Sequence, residues 1–253
     1  MLLEITNVGK RFSGLQALTD VTLSISAGRI YGVIGPNGAG KTTLFNVITG
    51  MQAATTGVIR FEGREITRLK PHQIARGGIA RTYQLVRPFH ELNVKENVEV
   101  GILFRSNGLF TSGDLAGETR KYMSWAGLAD KAFHPVAELN LGERKRLEIA
   151  RALAASPKLI MFDEVLAGLN PTETIQAIEL LKGICAAGIT VLMIEHNMQA
   201  IMAACHYIFV LHHGKLIGKG SPQEVSADPK VIEAYLGRKD LKLERRRRIT
   251  TDA

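Results

Sequence analysis

A glycine-rich stretch at residues 35–43 constrains this 253-residue chain more than any other segment. It fits G-x-x-x-x-G-K-[ST], a loop whose backbone N–H groups surround phosphate and whose lysine reaches the β- and γ-phosphates. The apolar residues 29–34 before it indicate a short buried strand, and residues 43–50 after it indicate a short helix. This strand–loop–helix order favours a nucleotide site over a glycine-rich turn with a chance lysine.

This stretch, called the phosphate loop below, supplies the predicted nucleotide-binding residues. The N-terminus of the following helix adds a positive partial charge that favours an anion. Lys41 supplies a full positive charge, and the Thr42 hydroxyl is a predicted Mg²⁺ ligand. The nine predicted binding residues are Gly35, Pro36, Asn37, Gly38, Ala39, Gly40, Lys41, Thr42 and Thr43.

Two adjacent carboxylates provide the second part of the predicted site. Asp163 and Glu164 follow the apolar residues 159–162, which indicate another buried strand. A carboxylate at the C-terminal end of a parallel strand lies beside the phosphate loop in such folds. We therefore predict that Asp163 ligates Mg²⁺ and that Glu164 is the general base for water. The alternative is that both acids cap a helix near Pro171.

Further motifs, in the expected order along the chain, resemble those of ABC-type ATPases, and the resemblance covers about residues 2–237. It implies that Gln84 is a metal and catalytic residue that senses Mg²⁺ and the attacking water. It also implies that His196 contacts the γ-phosphate, that Phe12 stacks on adenine, and that the cofactors are ATP and Mg²⁺. The signature motif, which acts on the nucleotide of a partner cassette, is matched by Asn140, Leu141, Gly142 and Glu143.

The signature departs from the usual Leu-Ser-Gly-Gly-Gln, because Asn140, Leu141 and Glu143 replace its serine, first glycine and glutamine. Asn140 still offers a hydrogen-bond donor for a γ-phosphate. Val165 stands after the two carboxylates, where Asp-Glu-Pro is usual. His196, considered without the resemblance, would more often be a capping or packing residue.

Four segments resemble the ATP-binding subunits of branched-chain amino-acid importers in particular: residues 43–50, 80–89, 194–198 and 231–237. This resemblance implies integral-membrane permease subunits as partners, fed by an extracytoplasmic substrate-binding protein. It also implies a peripheral location at the cytoplasmic face of the inner membrane. The ATPases of urea importers and lipopolysaccharide exporters are related alternatives. Because one cassette is present, the working unit needs a second copy or a paralogous ATPase.

Two other function classes fit the sequence less well. A soluble ABC ATPase acting on ribosomes or DNA usually carries two cassettes or a long coiled-coil insertion, and this sequence contains neither. A GTPase would need an N-K-x-D motif to read its base, and the sequence has none. The net charge of +8 is unevenly spread, since residues 237–253 carry +4 of it. The rest of the chain is therefore only mildly basic, and we expect no nucleic-acid partner.

Alternating strand and helix patterns predict an α/β fold of the P-loop NTPase (RecA-like) type, with a mostly parallel core sheet. Residues 2–26 alternate apolar and polar side chains, which predicts antiparallel strands flanking that sheet. Further strands are predicted at residues 57–62, 79–83, 158–163, 189–194 and 206–211. Further helices are predicted at residues 94–105, 115–127, 141–155, 172–186, 197–204 and 229–236.

Strand patterns fade over residues 86–155, which predicts a helical subdomain that contains the signature. Residues 1–85 and 156–237 then form the nucleotide-binding core. Residues 238–253 form a basic tail with four consecutive arginines, whose mutual repulsion favours disorder. This tail is a solvated end, a contact with the membrane or permease, or a nucleic-acid contact. The sequence has no run of 18 apolar residues, which predicts no membrane span.

Overall fold

The computed structural model describes residues 1–83, 87–105 and 114–235, where ten strands form two sheets. In chain order, the strands are β1 (Leu3–Phe12), β2 (Leu15–Ile25), β3 (Ile30–Ile34), β4 (Thr56–Phe61), β5 (Arg64–Glu65), β6 (Ile79–Arg81), β7 (Leu159–Asp163), β8 (Thr190–Ile194), β9 (Tyr207–His212) and β10 (Lys215–Gly220). The helices are α1 (Lys41–Ile48), α2 (Pro71–Arg76), α3 (Val94–Leu103), α4 (Leu115–Trp125), α5 (Leu141–Ala154), α6 (Pro171–Ala186), α7 (Met198–Ala204) and α8 (Pro222–Ala227), and residues 229–235 are also helical.

The larger sheet has six strands in the order β10-β9-β3-β8-β7-β6. Every residue of β3, β7 and β8 is buried, because packed layers cover both faces of the central strands. The strands from β9 to β6 are parallel to their neighbours, whereas β10 is antiparallel to β9. The predicted α/β fold with a mostly parallel sheet is therefore confirmed. The carboxyl ends of β3, β7 and β8 lie at one edge of this sheet.

The smaller sheet is antiparallel and has the order β2-β1-β4-β5. Leu3 of β1 pairs with Ile25 of β2 on one side and with Phe61 of β4 on the other. The antiparallel strands predicted within residues 2–26 are therefore present. The strand predicted at residues 57–62 joins them as β4.

The six-stranded sheet separates two hydrophobic cores, and the alternation of side chains along a strand decides which core each residue enters. On β7, Leu159 and Met161 enter the core shared with the smaller sheet and α1. Ile160 and Phe162 enter the core shared with α3, α5 and α6. Helices between β6 and β7 therefore pack on the sheet itself.

Two buried features shape the helical part of the chain. Gly101 lets α3 approach α5 closely, because a Cβ there would lie 2.4 Å from the Arg151 carbonyl oxygen. The fully buried Asn97 orders the chain before α3. Its Oδ1 accepts the Phe89 N–H at 2.9 Å, and its Nδ2 donates to the Leu92 carbonyl at 3.1 Å.

The sequence patterns do not predict four short elements, α2, α8, β5 and β10. The two helices have six residues each, which is too short for a clear helical period. Two glycines and two lysines in β10 hide the alternation that would indicate a strand. The predicted Gln84 and the basic tail lie outside the described residues. Within the described ranges, no helix has both the length and the apolar character needed to cross a bilayer.

Candidate nucleotide site

A cavity of about 520 Å³ lies where the phosphate loop meets the chain that follows β7 and β8. Its wall contains the consecutive loop residues from Asn37 to Thr43, together with Phe12, Glu164 and His196. These residues come from four separate segments of the chain. The structure therefore brings together most of the residues that the sequence assigns to one nucleotide site.

Three glycines of the phosphate loop have positive φ, and two of them, Gly35 and Gly40, shape the site. Gly35 has a φ of 153°, and a Cβ there would lie 2.1 Å from the Leu211 carbonyl oxygen. Gly40 has a φ of 103° and is the N-cap of α1, where no side chain caps the helix. The N–H groups of the first turn of α1 are therefore suited to binding an anion.

Lys41 is a buried residue at the base of this cavity. Its Nζ donates to the carbonyl oxygens of Gly35 at 2.7 Å and of Pro36 at 3.1 Å. Burial lowers the pKa of Lys41, while the carboxylates of Glu164 and Asp163 oppose that shift. Gly35 and Pro36 thus act through their carbonyls, which fix the lysine beside the first turn of α1.

Glu164 and His196 follow adjacent parallel strands, and their side chains meet in the cavity. Asp163 pairs with Ile194 in the register of β7 and β8, so the residues that follow them come close together. His196 Nε2 lies 2.8 Å from Glu164 Oε1. Glu164 has a φ of 54°, and its N–H donates to the Ile194 carbonyl at 3.0 Å. This uncommon backbone conformation directs a carboxylate to a site where it can accept a proton from water.

Asp163 is buried and forms an ion pair in which Arg81 Nη2 lies 2.7 Å from Asp163 Oδ2. Arg81 also donates to Asn46 Oδ1 of α1 at 2.7 Å, so it connects β7 to the helix behind the phosphate loop. Asp163 is not among the described residues that line the cavity, whereas the exposed Thr42 is. A carboxylate and a hydroxyl are both hard oxygen donors of the kind that Mg²⁺ prefers, so their chemistry fits this ion.

The predicted signature residues begin α5 and are not among the described residues that line this cavity. Asn140 is the N-cap, and its Oδ1 accepts the Glu143 N–H at 2.9 Å. Glu143 Oε2 in turn accepts the Asn140 N–H at 2.9 Å, which completes a capping box. Leu141 is half exposed, and a Cβ on the buried Gly142 would lie 2.9 Å from Glu173 Oε1.

Glu143 has a structural role at this helix start. The hydrogen bond from Lys131 is the main reason that the pKa of Glu143 is lowered, and the Asn140 N–H adds to the effect. The side chain of Glu143 is 10% exposed. The signature motif predicts that Glu143 lies beside a partner's nucleotide, and it does not predict that the side chain is buried in its own chain.

Two buried charged residues near Glu164 were not predicted from the sequence. Glu195 directly precedes His196, and its Oε1 accepts the Leu166 N–H at 2.7 Å. Burial raises the pKa of Glu195 to about 7, although the Leu166 N–H and Lys145 oppose the shift. Lys145 reaches the same loop from α5. The sequence does offer one indication of a role for Glu195, since it is a charged residue directly after the apolar residues 189–194.

His213 also lines the cavity, from the turn between β9 and β10. No motif in the sequence predicts a place for it in this site. Gln16 and Ala17 of β2 are further unpredicted wall residues. Their place depends on how the β1–β2 and β9–β10 hairpins fold over the phosphate loop, which no local pattern encodes.

Comparison with known proteins agrees with this geometry. The ABC transporter family matches residues 18–167, and the family described as branched-chain amino acid ATP-binding cassette transporter matches residues 215–240. The chain is 38% identical over 249 residues to the high-affinity branched-chain amino acid transport ATP-binding protein BraF of Pseudomonas aeruginosa, covering 93% of this chain and 98% of BraF. It is 36% identical, with the same coverage, to the Escherichia coli protein of that description called LivG.

Solved structures are also similar. An ATP-binding cassette of an ABC transporter in its ADP conformation matches with a TM-score of 0.85 and 32% identity, covering 94% of this chain and 99% of that one. A nucleotide-free cassette from an ABC transporter matches with a TM-score of 0.83 and 33% identity, with the same coverage. A dimeric bacterial ABC transporter cassette matches with a TM-score of 0.79 and 26% identity, covering 87% of this chain and 99% of that one.

Proposed function

This chain belongs to the ABC transporter family of ATP-binding cassettes, and from that membership we propose that it is the ATPase subunit of an importer for branched-chain or related hydrophobic amino acids. The cavity that joins the phosphate loop to Glu164 and His196 carries the ATPase part of the proposal. The substrate class is supported by the names of BraF and LivG and by the family matched at residues 215–240.

In the proposed reaction, water attacks the γ-phosphate of ATP, and ADP and phosphate leave. The phosphate loop and the N-terminus of α1 hold the phosphates, and Lys41 offsets their charge. Glu164 accepts a proton from the attacking water. His196, at 2.8 Å from the Glu164 carboxylate, holds that carboxylate in place and contacts the γ-phosphate.

Mg²⁺ would be held by Thr42 and Asp163, with Gln84 as a further ligand, and would screen the phosphate charge when bound. Phe12 is proposed to stack on the adenine ring. Its side chain is partly exposed, and Lys10 Nζ lies 4.8 Å from the centre of its ring. An aromatic ring offers a flat apolar face on which a base can stack.

The proposed working unit is a head-to-tail pair of cassettes. Asn140 and Leu141 are exposed just before and at the start of α5, so their side chains are accessible to a nucleotide held by another chain, and Gly142 follows them. The start of α5 offers N–H groups and a positive partial charge to such a nucleotide. The similar cassette that was solved as a dimer supports this arrangement.

The proposed permease contact is a groove of about 530 Å³ between α2, β6, α3 and α5. Its wall includes three partly or largely exposed aromatic residues, Tyr83, Phe89 and Phe104. Exposed apolar surface of this kind marks protein contacts. Tyr83 and Arg87, on either side of the segment that contains Gln84, also line the groove. A membrane partner seated there would therefore contact the chain next to a catalytic residue.

We propose that the chain is a peripheral subunit at the cytoplasmic face of the inner membrane, because its proposed permease partner lies in that membrane. A substrate-binding protein on the other side of the membrane would deliver the amino acid to the permease. The proposed substrate choice belongs to those two partners. The role of this chain is to close and reopen with its partner cassette as ATP binds and is hydrolysed.

Glu164→Gln tests the ATPase role. An amide cannot take a proton from water, so turnover should fall by about 10²–10⁴-fold while ATP still binds. Glu62→Gln is the matched control, because Glu62 is an exposed carboxylate paired with Lys158. Steady-state phosphate release and a nucleotide-binding assay measure the two effects. Near-wild-type turnover in purified Glu164→Gln rejects the general base.

The same variant tests the proposed pair of cassettes. Glu164→Gln with ATP should form a dimer in size-exclusion chromatography with light scattering, because it binds ATP but does not cleave it. A chain with full activity, a monomeric mass and no dependence of its specific activity on protein concentration contradicts the pair. Leucine-stimulated ATPase activity of the chain, reconstituted with its copurifying permease and the substrate-binding protein, tests the substrate class.

A further inference from the structure

Two charged side chains hold the loop that follows β7, called the base loop here and formed by residues 164–167. The base loop begins with Glu164, and Ala167 N–H donates to the Glu164 carbonyl at 3.2 Å, which closes a tight turn. Lys145 of α5 contacts this turn from the helical side, and Glu195 contacts it from the end of β8. Neither Lys145 nor Glu195 is among the described residues that line the nucleotide cavity.

Lys145 binds the base loop through its backbone. Its Nζ donates to the carbonyl oxygen of Ala167 and, at 3.4 Å, to that of Glu164. The residue is buried, with 7% of its surface exposed. Burial lowers the pKa of Lys145, and the nearby carboxylates of Glu195, Glu148 and Glu164 oppose the shift. A long side chain that is otherwise flexible is thus fixed by acceptors at both ends of one turn.

Glu195 binds the opposite side of the same turn. Its Oε1 accepts the Leu166 N–H at 2.7 Å, and 3% of the residue is exposed. The adjacent Ile194 carbonyl accepts the Glu164 N–H at 3.0 Å. Two successive residues at the end of β8 therefore bind two N–H groups of the base loop.

Burying a charged side chain is unfavourable unless hydrogen bonds compensate for the lost water. Here the compensating bonds go to the base loop, whose first residue has the uncommon φ of 54°. A residue in such a conformation stays there when the surrounding structure holds it. Lys145 and Glu195 supply that hold from two different elements, α5 and the end of β8.

We propose that Lys145 and Glu195 are positioning residues that fix the base loop, so that the Glu164 carboxylate stays against His196 and in reach of the attacking water. The inference rests on the proposed function, in which Glu164 is the general base. Lys145 lies on the helix capped by Asn140, and Glu195 directly precedes His196. The two residues thus link the signature helix, the base and the histidine within one cassette.

Four variants of the full chain test this inference. Lys145→Met and Glu195→Ala remove the donor and the acceptor, and each should lower kcat for ATP by about 10- to 100-fold, because misplacing a catalytic group has effects of this size. KM for ATP should stay near its wild-type value, since neither residue lines the cavity. Lys145→Arg and Glu195→Gln keep a donor and an acceptor and should restore most of kcat.

Lys182→Met is the matched control, because Lys182 is an exposed lysine on α6 that pairs with Glu179. It should leave kcat and KM unchanged. Thermal unfolding of every variant shows whether it is folded at the assay temperature. If Lys145→Met does not fold, the positioning role is tested by comparing kcat of Glu195→Ala with kcat of Glu195→Gln.

A folded Lys145→Met or Glu195→Ala with wild-type kcat overturns the inference. So does an equal loss of kcat in each conservative variant and its disruptive counterpart, which would indicate general packing. Glu164→Gln is measured beside them to separate the two proposals. If Glu164→Gln keeps its turnover, the proposed function fails. If Glu164→Gln is inactive while Lys145→Met keeps full kcat, only the positioning role fails.

Discussion

Burial shifts the pKa of single residues on two sides of the nucleotide site. It lowers the pKa of Lys41 and raises that of Glu195 to about 7. In each case the charged form loses water, and neighbouring groups compensate only in part. Substitution of Lys41 therefore tests ATP binding, and substitution of Glu195 tests the stability of the fold.

Lys41→Ala should weaken ATP binding by about 10- to 100-fold, because a hydrogen bond to a charged group contributes about 1.5–3 kcal/mol. The variant should keep its fold, since the alanine removes a buried cation without leaving another charge unpaired in the loop. A fluorescent ATP analogue measures the affinity. Lys158→Ala, which removes an exposed lysine, is the control. Wild-type affinity in Lys41→Ala would contradict the assignment of the phosphate loop.

Glu195→Gln should change how stability depends on pH. The folded chain keeps the Glu195 proton up to about pH 7, whereas the unfolded chain releases it near the ordinary value of 4.5. The folded state therefore binds more protons between these values, and the stability that Glu195 contributes below pH 4.5 is lost as pH rises through 7. At pH 8 the glutamine variant should be more stable by at most on the order of 3 kcal/mol.

Urea unfolding of the wild type and Glu195→Gln at pH 5 and pH 8 measures this difference. The two proteins should have similar free energies of unfolding at pH 5. At that pH the buried wild-type carboxyl is protonated and therefore uncharged, as the glutamine amide is. An identical pH dependence in both proteins would show that Glu195 has an ordinary pKa. Glu62→Gln, at an exposed position, should leave the pH dependence unchanged.

The phosphate loop could be predicted from the sequence because its ligands are consecutive and its chemistry is local. Glu164 could be predicted because it follows an apolar strand, whereas His196 could be predicted only from the resemblance to ABC-type ATPases. Arg81 could not be predicted as the partner of Asp163, since their meeting depends on the parallel pairing of β6 with β7. The role of Lys145 could not be predicted either, because it donates to backbone carbonyls of a turn that is distant in the sequence.

At the scale of elements, α5 combines a structural cap with a proposed ligand. Asn140 caps the helix through its carbonyl oxygen, and the donors on its amide nitrogen are what the proposed phosphate contact requires. Serine, the usual residue here, can also cap and donate. The replacement by asparagine therefore preserves both properties.

Substitutions of Asn140 should separate these two properties. Asn140→Ala should lower the free energy of unfolding by about 1 kcal/mol, because the cap is lost. Asn140→Asp should keep the cap but place a negative charge against the partner's γ-phosphate, so that ATPase activity falls without a loss of stability. Asn140→Ser should keep both. Urea unfolding and phosphate release measure the two effects, and full activity in Asn140→Asp would argue against the proposed phosphate contact.

The buried strands β3, β7 and β8 were predictable because each is a short apolar run followed by polar residues. The antiparallel β10 was not, because its glycines and lysines carry no period-two pattern. Such patterns also do not predict the order of the strands in the sheet. It places β8, far along the chain, beside β3, and this neighbour relation is what positions His196.

At the scale of the whole molecule, the described chain ends close to the site. Burial raises the pKa of Tyr235, and the backbone N–H of Gly35 at the start of the phosphate loop opposes the shift. Truncation after Gly237 keeps this tyrosine and removes the basic tail. We expect the shortened chain to keep its ATPase rate and to bind anionic liposomes more weakly, since a basic residue near such a surface contributes about 1 kcal/mol.

Phosphate release and liposome cosedimentation at two salt concentrations measure these effects. Unchanged, salt-sensitive liposome binding would mean that the tail has no role at the membrane. A collapse of ATPase activity in the truncated chain would mean that the tail belongs to the catalytic unit. Truncation after Val231, which also removes Tyr235, is the informative comparison.

The two cores on either face of the six-stranded sheet have a consequence for how such chains can exchange parts during evolution. Residues of α3 and α5 share one core with Ile160 and Phe162, so exchanging the segment between β6 and β7 divides that core. A recombinant that receives residues 86–155 from a relative inherits half of a core and must match a sheet face it did not bring. At the proposed permease contact, new partners are therefore more readily acquired by changing the outer aromatic residues of the groove than by exchanging the helices that present them.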